Sequence, residues 1–104
     1  MKQPCVYILA SRRNGTLYVG VTSNLVQRIW QHKNNLAEGF TKKYGIHTLV
    51  WFEPHETMES AIGPGSNHSG VTCEKAIKGW RRAWKLAVIE AKNPQWCDLY
   101  ESIV

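Results

Sequence analysis

No apolar run in this sequence approaches the ~18 residues that a membrane-spanning helix needs. The opening residues, Met1-Lys2-Gln3-Pro4-Cys5, have neither the apolar stretch nor the cleavage site of a secretory signal. Cysteine is scarce and oddly counted: Cys5, Cys73 and Cys97 stand far apart, which argues against a disulfide framework. There is no CxxC pair, and His32, His47, His55 and His68 show no ligand spacing, so a structural zinc site is not expected. Acidic residues are also few, 8 against 13 Lys and Arg, giving a net charge of +5 and a pI near 9.3. These deficits point to a cytoplasmic protein with no membrane segment. The excess of positive charge favours an anionic partner, nucleic acid before an acidic membrane surface, with a merely soluble basic surface as the competing reading. The 104 residues bound the chain to one domain, and 43% hydrophobic with 20% charged residues is an ordinary globular composition.

The order of elements is legible. Cys5-Val6-Tyr7-Ile8-Leu9-Ala10 is a short β-rich apolar run, and Leu17-Tyr18-Val19-Gly20-Val21 is a second. Asn14-Gly15 between them is a hairpin turn signal, so strands are expected over about 5–10 and 17–22. Thr22-Ser23-Asn24 offers caps for a helix over about 24–34, with Leu25, Val26, Ile29 and Trp30 at helical spacing. Residues 35–46 read as a loop, and 47–52 as a third strand stopped by Pro54. A helix is expected to begin near Thr57. The Gly/Pro-rich stretch 63–73 then excludes helix, and helix resumes from Cys73 or Glu74. Ile77, Trp80, Trp84, Val88 and Ala91 follow as an apolar stripe, with Gly79 as a point of division, and Asn93-Pro94 closes it. Trp96, Leu99 and Tyr100 form an aromatic tail expected to pack back on the domain. The order ββαβαα implies an α/β (α+β) domain, a small three-stranded antiparallel sheet flanked by helices.

Three constellations carry chemistry. A hairpin brings Tyr7 and Tyr18 near one another, although β-propensity alone reads them as half-buried strand aromatics. Arg28 and His32, four residues apart, share one helix face, where a guanidinium binds phosphate and an imidazole takes a proton; taken alone, a solvated helix face is the plainer reading. If helical, Glu74, Lys78, Arg81 and Lys85 lie on one face opposite the tryptophans, one carboxylate at the head of a basic ridge. Such a set suits a hard cation beside a phosphate backbone, and i,i+4 pairing of Glu74 with Lys78 is the plainer alternative.

Together these pieces resemble the GIY-YIG nuclease superfamily. Val6-Tyr7-Ile8 and Tyr18-Val19-Gly20 match its two half-motifs, followed by Arg28 and His32; Val6 replaces the usual glycine. Leu17 to Ser23, Glu38 to Gly45, Arg81 to Lys85, Asn93-Pro94, Trp96 and Asp98-Leu99-Tyr100 extend the likeness to small stand-alone bacterial members over nearly the whole chain except about 63–73. The resemblance implies an endonuclease hydrolysing DNA phosphodiesters with one divalent cation, Mg²⁺ or Mn²⁺, in repair or recombination or without specificity. It implies Tyr7, Tyr18, Arg28, His32 and Glu74 as catalytic residues and Glu74 as the metal ligand. Arg12, Arg13, Lys78, Arg81, Arg82 and Lys85 would contact the phosphates of duplex or branched DNA. The base is open between Tyr7 and His32.

Two departures from the family pattern set further expectations. Relatives continue from the equivalent of Ala61-Ile62 directly into an arginine and the Glu-Lys pair, whereas here 63–73 intervenes and Cys73 takes the arginine's place. Three consequences are open: a tolerated surface loop, a displaced Glu74 that leaves a weak nucleic-acid-binding domain, or a hinge for exchange between two chains of a homodimer. The family's last site residue is an asparagine. Leu86 stands near its place, so Asn93 is a candidate with Lys85 as a substitute, although Asn93-Pro94 also reads as a helix stop.

Overall fold

A computed structural model of the chain describes residues 3–34, 43–57 and 77–103. Among them, β1 (Cys5–Ala10) and β2 (Leu17–Thr22) form the expected hairpin. The turn differs in detail. Asn14 takes the left-handed conformation (φ 59°), and the loop closes through Gly15 N–H to the Arg12 carbonyl and Ser11 N–H to the Thr16 carbonyl. Ser11 Oγ accepts a further bond from Thr16 N–H at 3.0 Å. A four-residue loop of this kind needs one positive φ rather than the two of the tightest Asn-Gly turn.

Helix α1 (Leu25–Lys33) starts where the capping residues placed it, with Asn24 Oδ1 accepting from the Gln27 N–H. Leu25, Ile29 and His32 are buried beneath it, while Val26 and Trp30 face outward. Strand β3 (Thr48–Pro54) runs two residues beyond the expected stop. Pro54 is tolerated because β3 is an edge strand and Pro54 is its last residue. The sheet order is β2-β1-β3, all antiparallel, with β1 buried along its whole length.

The register separates two cores. On one face Val6, Ile8, Ala10 and Val19 pack with Val50, Trp51, Ile77, Ile89 and Trp96. On the other, Cys5, Tyr7, Leu9, Leu25, Ile29, Ile46 and Leu49 form the second cluster. Val50 and Trp51 are consecutive yet share a cluster, because the pairing slips between Ile8 and Leu9 and leaves one extra residue in β3.

The segment after Ile77 is divided close to Gly79, where the sequence offered a break. A turn, with Trp80 N–H to the Ile77 carbonyl, ends at Arg81, whose backbone is extended (φ −63°, ψ 151°); α2 (Arg82–Lys92) begins only there. The break resets the helical phase. Trp84 is 60% exposed and Ala91 is exposed, so neither belongs to the core stripe; Ile89, with Leu86 and Val88 at its edge, does. The tail returns as expected: Leu99 N–H bonds the Leu49 carbonyl at 2.8 Å, and α3 (Tyr100–Ile103) packs on the second face near α1. The described order is thus ββαβαα, with the tail as its last helix. The helix expected from Thr57, the stretch 63–73 and Glu74 lie outside the described residues. No helix among the described residues is long and apolar enough to cross a membrane.

Candidate active site

Hairpin register does most of the positioning. Tyr7 lies opposite Gly20 and Tyr18 opposite Leu9, so both rings emerge on the second face, their centroids 6.3 Å apart. Gly20 makes this possible. A Cβ at that position would lie 2.5 Å from both Cζ and the hydroxyl of Tyr7 and 3.0 Å from Cε2 of Tyr18. Across the same face, α1 presents Arg28 and His32 one turn apart. His32 sits against both rings, at 5.9 Å from Tyr7 and 5.5 Å from Tyr18 between centroids. Its Nε2 is 3.1 Å from the Tyr7 hydroxyl, a buried contact in which Tyr7 donates when the imidazole leaves that nitrogen bare.

Electrostatics sharpen the arrangement. Burial, then the charge of Arg28, then that of His47 lower the His32 pKa from 6.5 to about 4, so the ring is neutral at pH 7. A hydrogen bond with the Tyr7 hydroxyl raises the Arg28 guanidinium above its ordinary value; partial burial opposes this, and charge interactions with both tyrosines add to it. Arg28 Nη1 also donates to Gln31 Oε1 at 3.3 Å, and the arginine borders an open groove of about 230 Å³ with Thr22, Ser23, Asn24, Gln27 and Gln31. His47 braces the helix from below: its Nδ1 is 2.9 Å from the His32 carbonyl, while Lys33 reaches the His47 carbonyl and Asp98. The result is a permanent cation, two phenols and a neutral imidazole at one point, a set that suits a phosphate and its proton transfers.

The sequence comparisons supply the family. Residues 3–87 match the model of the GIY-YIG catalytic domain. The chain belongs to the GIY-YIG family. A UPF0213 protein of Clostridium perfringens is 34% identical over 88 residues, covering 85% of this chain and 84% of that protein. No solved structure gives a significant match. The GIY-YIG domain is a nuclease domain, and GIY-YIG nucleases act on DNA.

The remaining expected site residues distribute unevenly. Arg12 and Arg13 are exposed on the hairpin loop. Lys78 and Arg81 are exposed too, but the break before α2 removes the single ridge expected to join them to Lys85. Arg82 is committed to structure: its Nη2 donates to the carbonyls of Asn14 at 2.8 Å and Gly15 at 2.7 Å, tying α2 to the hairpin tip. Asn93 is a buried strut on the opposite face from the tyrosines. Its side-chain amide donates to the Val50 and Cys97 carbonyls and accepts from Cys97 N–H, which bears out the helix-stop reading. Among the described residues no group of three His, Cys, Asp or Glu is placed to hold a metal ion. The tyrosine cluster suits an anion, and a hard cation needs a carboxylate that it lacks; Glu74, the residue for that part, lies outside the described residues. In the sequence Gly20 stood only as the end of the second half-motif and His47 only as a strand residue; the part Gly20 plays was legible, since strands 5–10 and 17–22 in hairpin register set position 20 against Tyr7.

Proposed function

We propose that this GIY-YIG protein is an endonuclease that hydrolyses DNA phosphodiesters with the help of one divalent cation. The observation that carries the reading is the meeting of Tyr7, His32, Arg28 and Tyr18 on one face of the sheet. Arg28 binds the scissile phosphate and stabilises the charge that builds on it. The Tyr7 hydroxyl orients the attacking water and passes its proton toward His32 Nε2, 3.1 Å away. Arg28 is one of the groups that hold the His32 pKa down, so a phosphate seated on the guanidinium offsets that charge and makes His32 a better proton acceptor when substrate is present. Tyr18 closes the far side of His32. Glu74 is the residue we assign to Mg²⁺ or Mn²⁺, which would neutralise the phosphate and the leaving oxygen.

The test is nicking of supercoiled plasmid with Mn²⁺ or Mg²⁺ by the wild type, Arg28→Ala and Glu74→Ala. Cleavage by the wild type, abolished in both variants and by a chelator, is expected. Plasmid left intact by the wild type in both metals while it still binds DNA would favour a binding domain that keeps the nuclease fold. That alternative draws its support from the Gly/Pro-rich stretch directly before Glu74.

A further inference from the structure

At the hairpin tip lies a larger feature outside the tyrosine cluster. An open groove of about 760 Å³ is bordered by Ser11, Arg12, Thr16, Tyr44, Arg82 and Lys85, among others, and no carboxylate among the described residues borders it. That volume falls within the roughly 300–1,000 Å³ typical of ligand sites. Arg82 is pinned to the Asn14 and Gly15 carbonyls, so its charge is fixed in the wall. Arg12 and Lys85 bring two further cations to the rim. Tyr44 is 48% exposed, with Lys43 Nζ 5.5 Å from its ring centroid. An aromatic ring interleaved with cations and hydroxyls is the chemistry that holds a nucleic-acid strand, base on ring and phosphates on the charges.

We propose that this groove is a second subsite that holds an unpaired nucleic-acid segment beside the scissile phosphodiester, with Tyr44 stacking on a base and Arg12 and Lys85 taking the flanking phosphates. The inference rests on the nuclease reading for the word scissile and on the groove alone for binding. Unpaired strand is required because in a duplex both faces of each base are already covered by neighbours, leaving none for Tyr44. The spacing is suitable. Thr16 at the rim directly precedes β2, which carries Tyr18 two residues further on, roughly 7 Å away at the rise of a strand. The protein would therefore prefer DNA in which single strand adjoins duplex, such as a flap or a fork.

The experiment measures anisotropy of a labelled oligothymidylate and of a hairpin duplex of equal length, with EDTA present so that nothing is cut. Wild type, Tyr44→Ala, Tyr44→Phe and Lys85→Gln are compared, each checked for folding by thermal melting. Tyr44→Ala is expected to weaken single-strand binding about ten-fold and leave duplex binding unchanged, while Tyr44→Phe restores it. Lys85→Gln is expected to lower the salt slope for single strand by about one. Single-strand affinity indifferent to Tyr44→Ala, or an equal loss for single strand and duplex, overturns the proposal. Cleavage of a flapped duplex with Mn²⁺, run beside it, separates the two claims. Binding through Tyr44 without any cleavage keeps the subsite and removes the nuclease; cleavage of duplex and flap at equal rates, unaffected by Tyr44→Ala, does the reverse.

Discussion

The two faces of the sheet are built from the same three strands and serve opposite ends. Beneath α2, the packing is almost wholly apolar, and its buried polar side chain, Asn93, spends its amide on backbone groups of β3 and the tail. Beneath α1, a phenol and an imidazole are buried in the middle of the core, with a guanidinium at their edge. Buried polar groups cost free energy unless paired, and pairing them with each other rather than with backbone leaves chemistry available at the surface. One face holds the fold together; the other surrenders some stability to assemble a reactive cluster.

Substitutions can break that division in order of expected size. Tyr7→Phe keeps the ring in its place beside Gly20 and deletes the hydroxyl; DNA cleavage should fall by roughly 10²–10⁴-fold, measured under single-turnover conditions, with melting little changed. The next effect is acid sensitivity. Unfolded His32 takes up a proton near pH 6.5, the folded residue only near 4, so across that window the unfolded state binds more protons and stability falls as pH falls. The full loss is roughly 3 kcal/mol at the low end. Urea melts at pH 7 and pH 4.5 should show most of this loss in the wild type and a shallower one in His32→Gln. Asn93→Ala strips the other face of its strut and leaves buried carbonyls unpaired, costing about 2–3 kcal/mol in urea melts. Gly20→Ala is expected to cost less than the loss of that strut, roughly 1–2 kcal/mol from overpacking against Tyr7. It should nonetheless lower cleavage sharply, because relieving a 2.5 Å approach moves the Tyr7 hydroxyl away from His32.

The two faces were also unequally legible in the sequence. The β-rich apolar runs at 5–10 and 17–22, a turn signal at Asn14 and a cap at Asn24 are local features, and each needs only its neighbours to be read. They suffice to set Tyr7 beside Tyr18 and Arg28 beside His32, and the resemblance to a nuclease family is what joined the two pairs in one site. Long-range features stayed hidden. Nothing local in Val50-Trp51 announces a register slip, and nothing in Arg82 announces that two carbonyls of a distant turn will claim its guanidinium. The apolar stripe through Trp84 failed for a physical reason. Helical periodicity extrapolates only while the helix is unbroken, and the extended backbone at Arg81 rotated every later residue out of phase.

The most direct test of the division between the faces pairs Arg28→Ala with Asn93→Ala, measuring DNA cleavage and thermal melting on the same samples below both midpoints. If the faces divide the work in this way, Arg28→Ala melts close to the wild type yet no longer cleaves, and Asn93→Ala melts lower yet cleaves at the wild-type rate per folded molecule. Wild-type cleavage by Arg28→Ala, or loss of cleavage by folded Asn93→Ala, would contradict it.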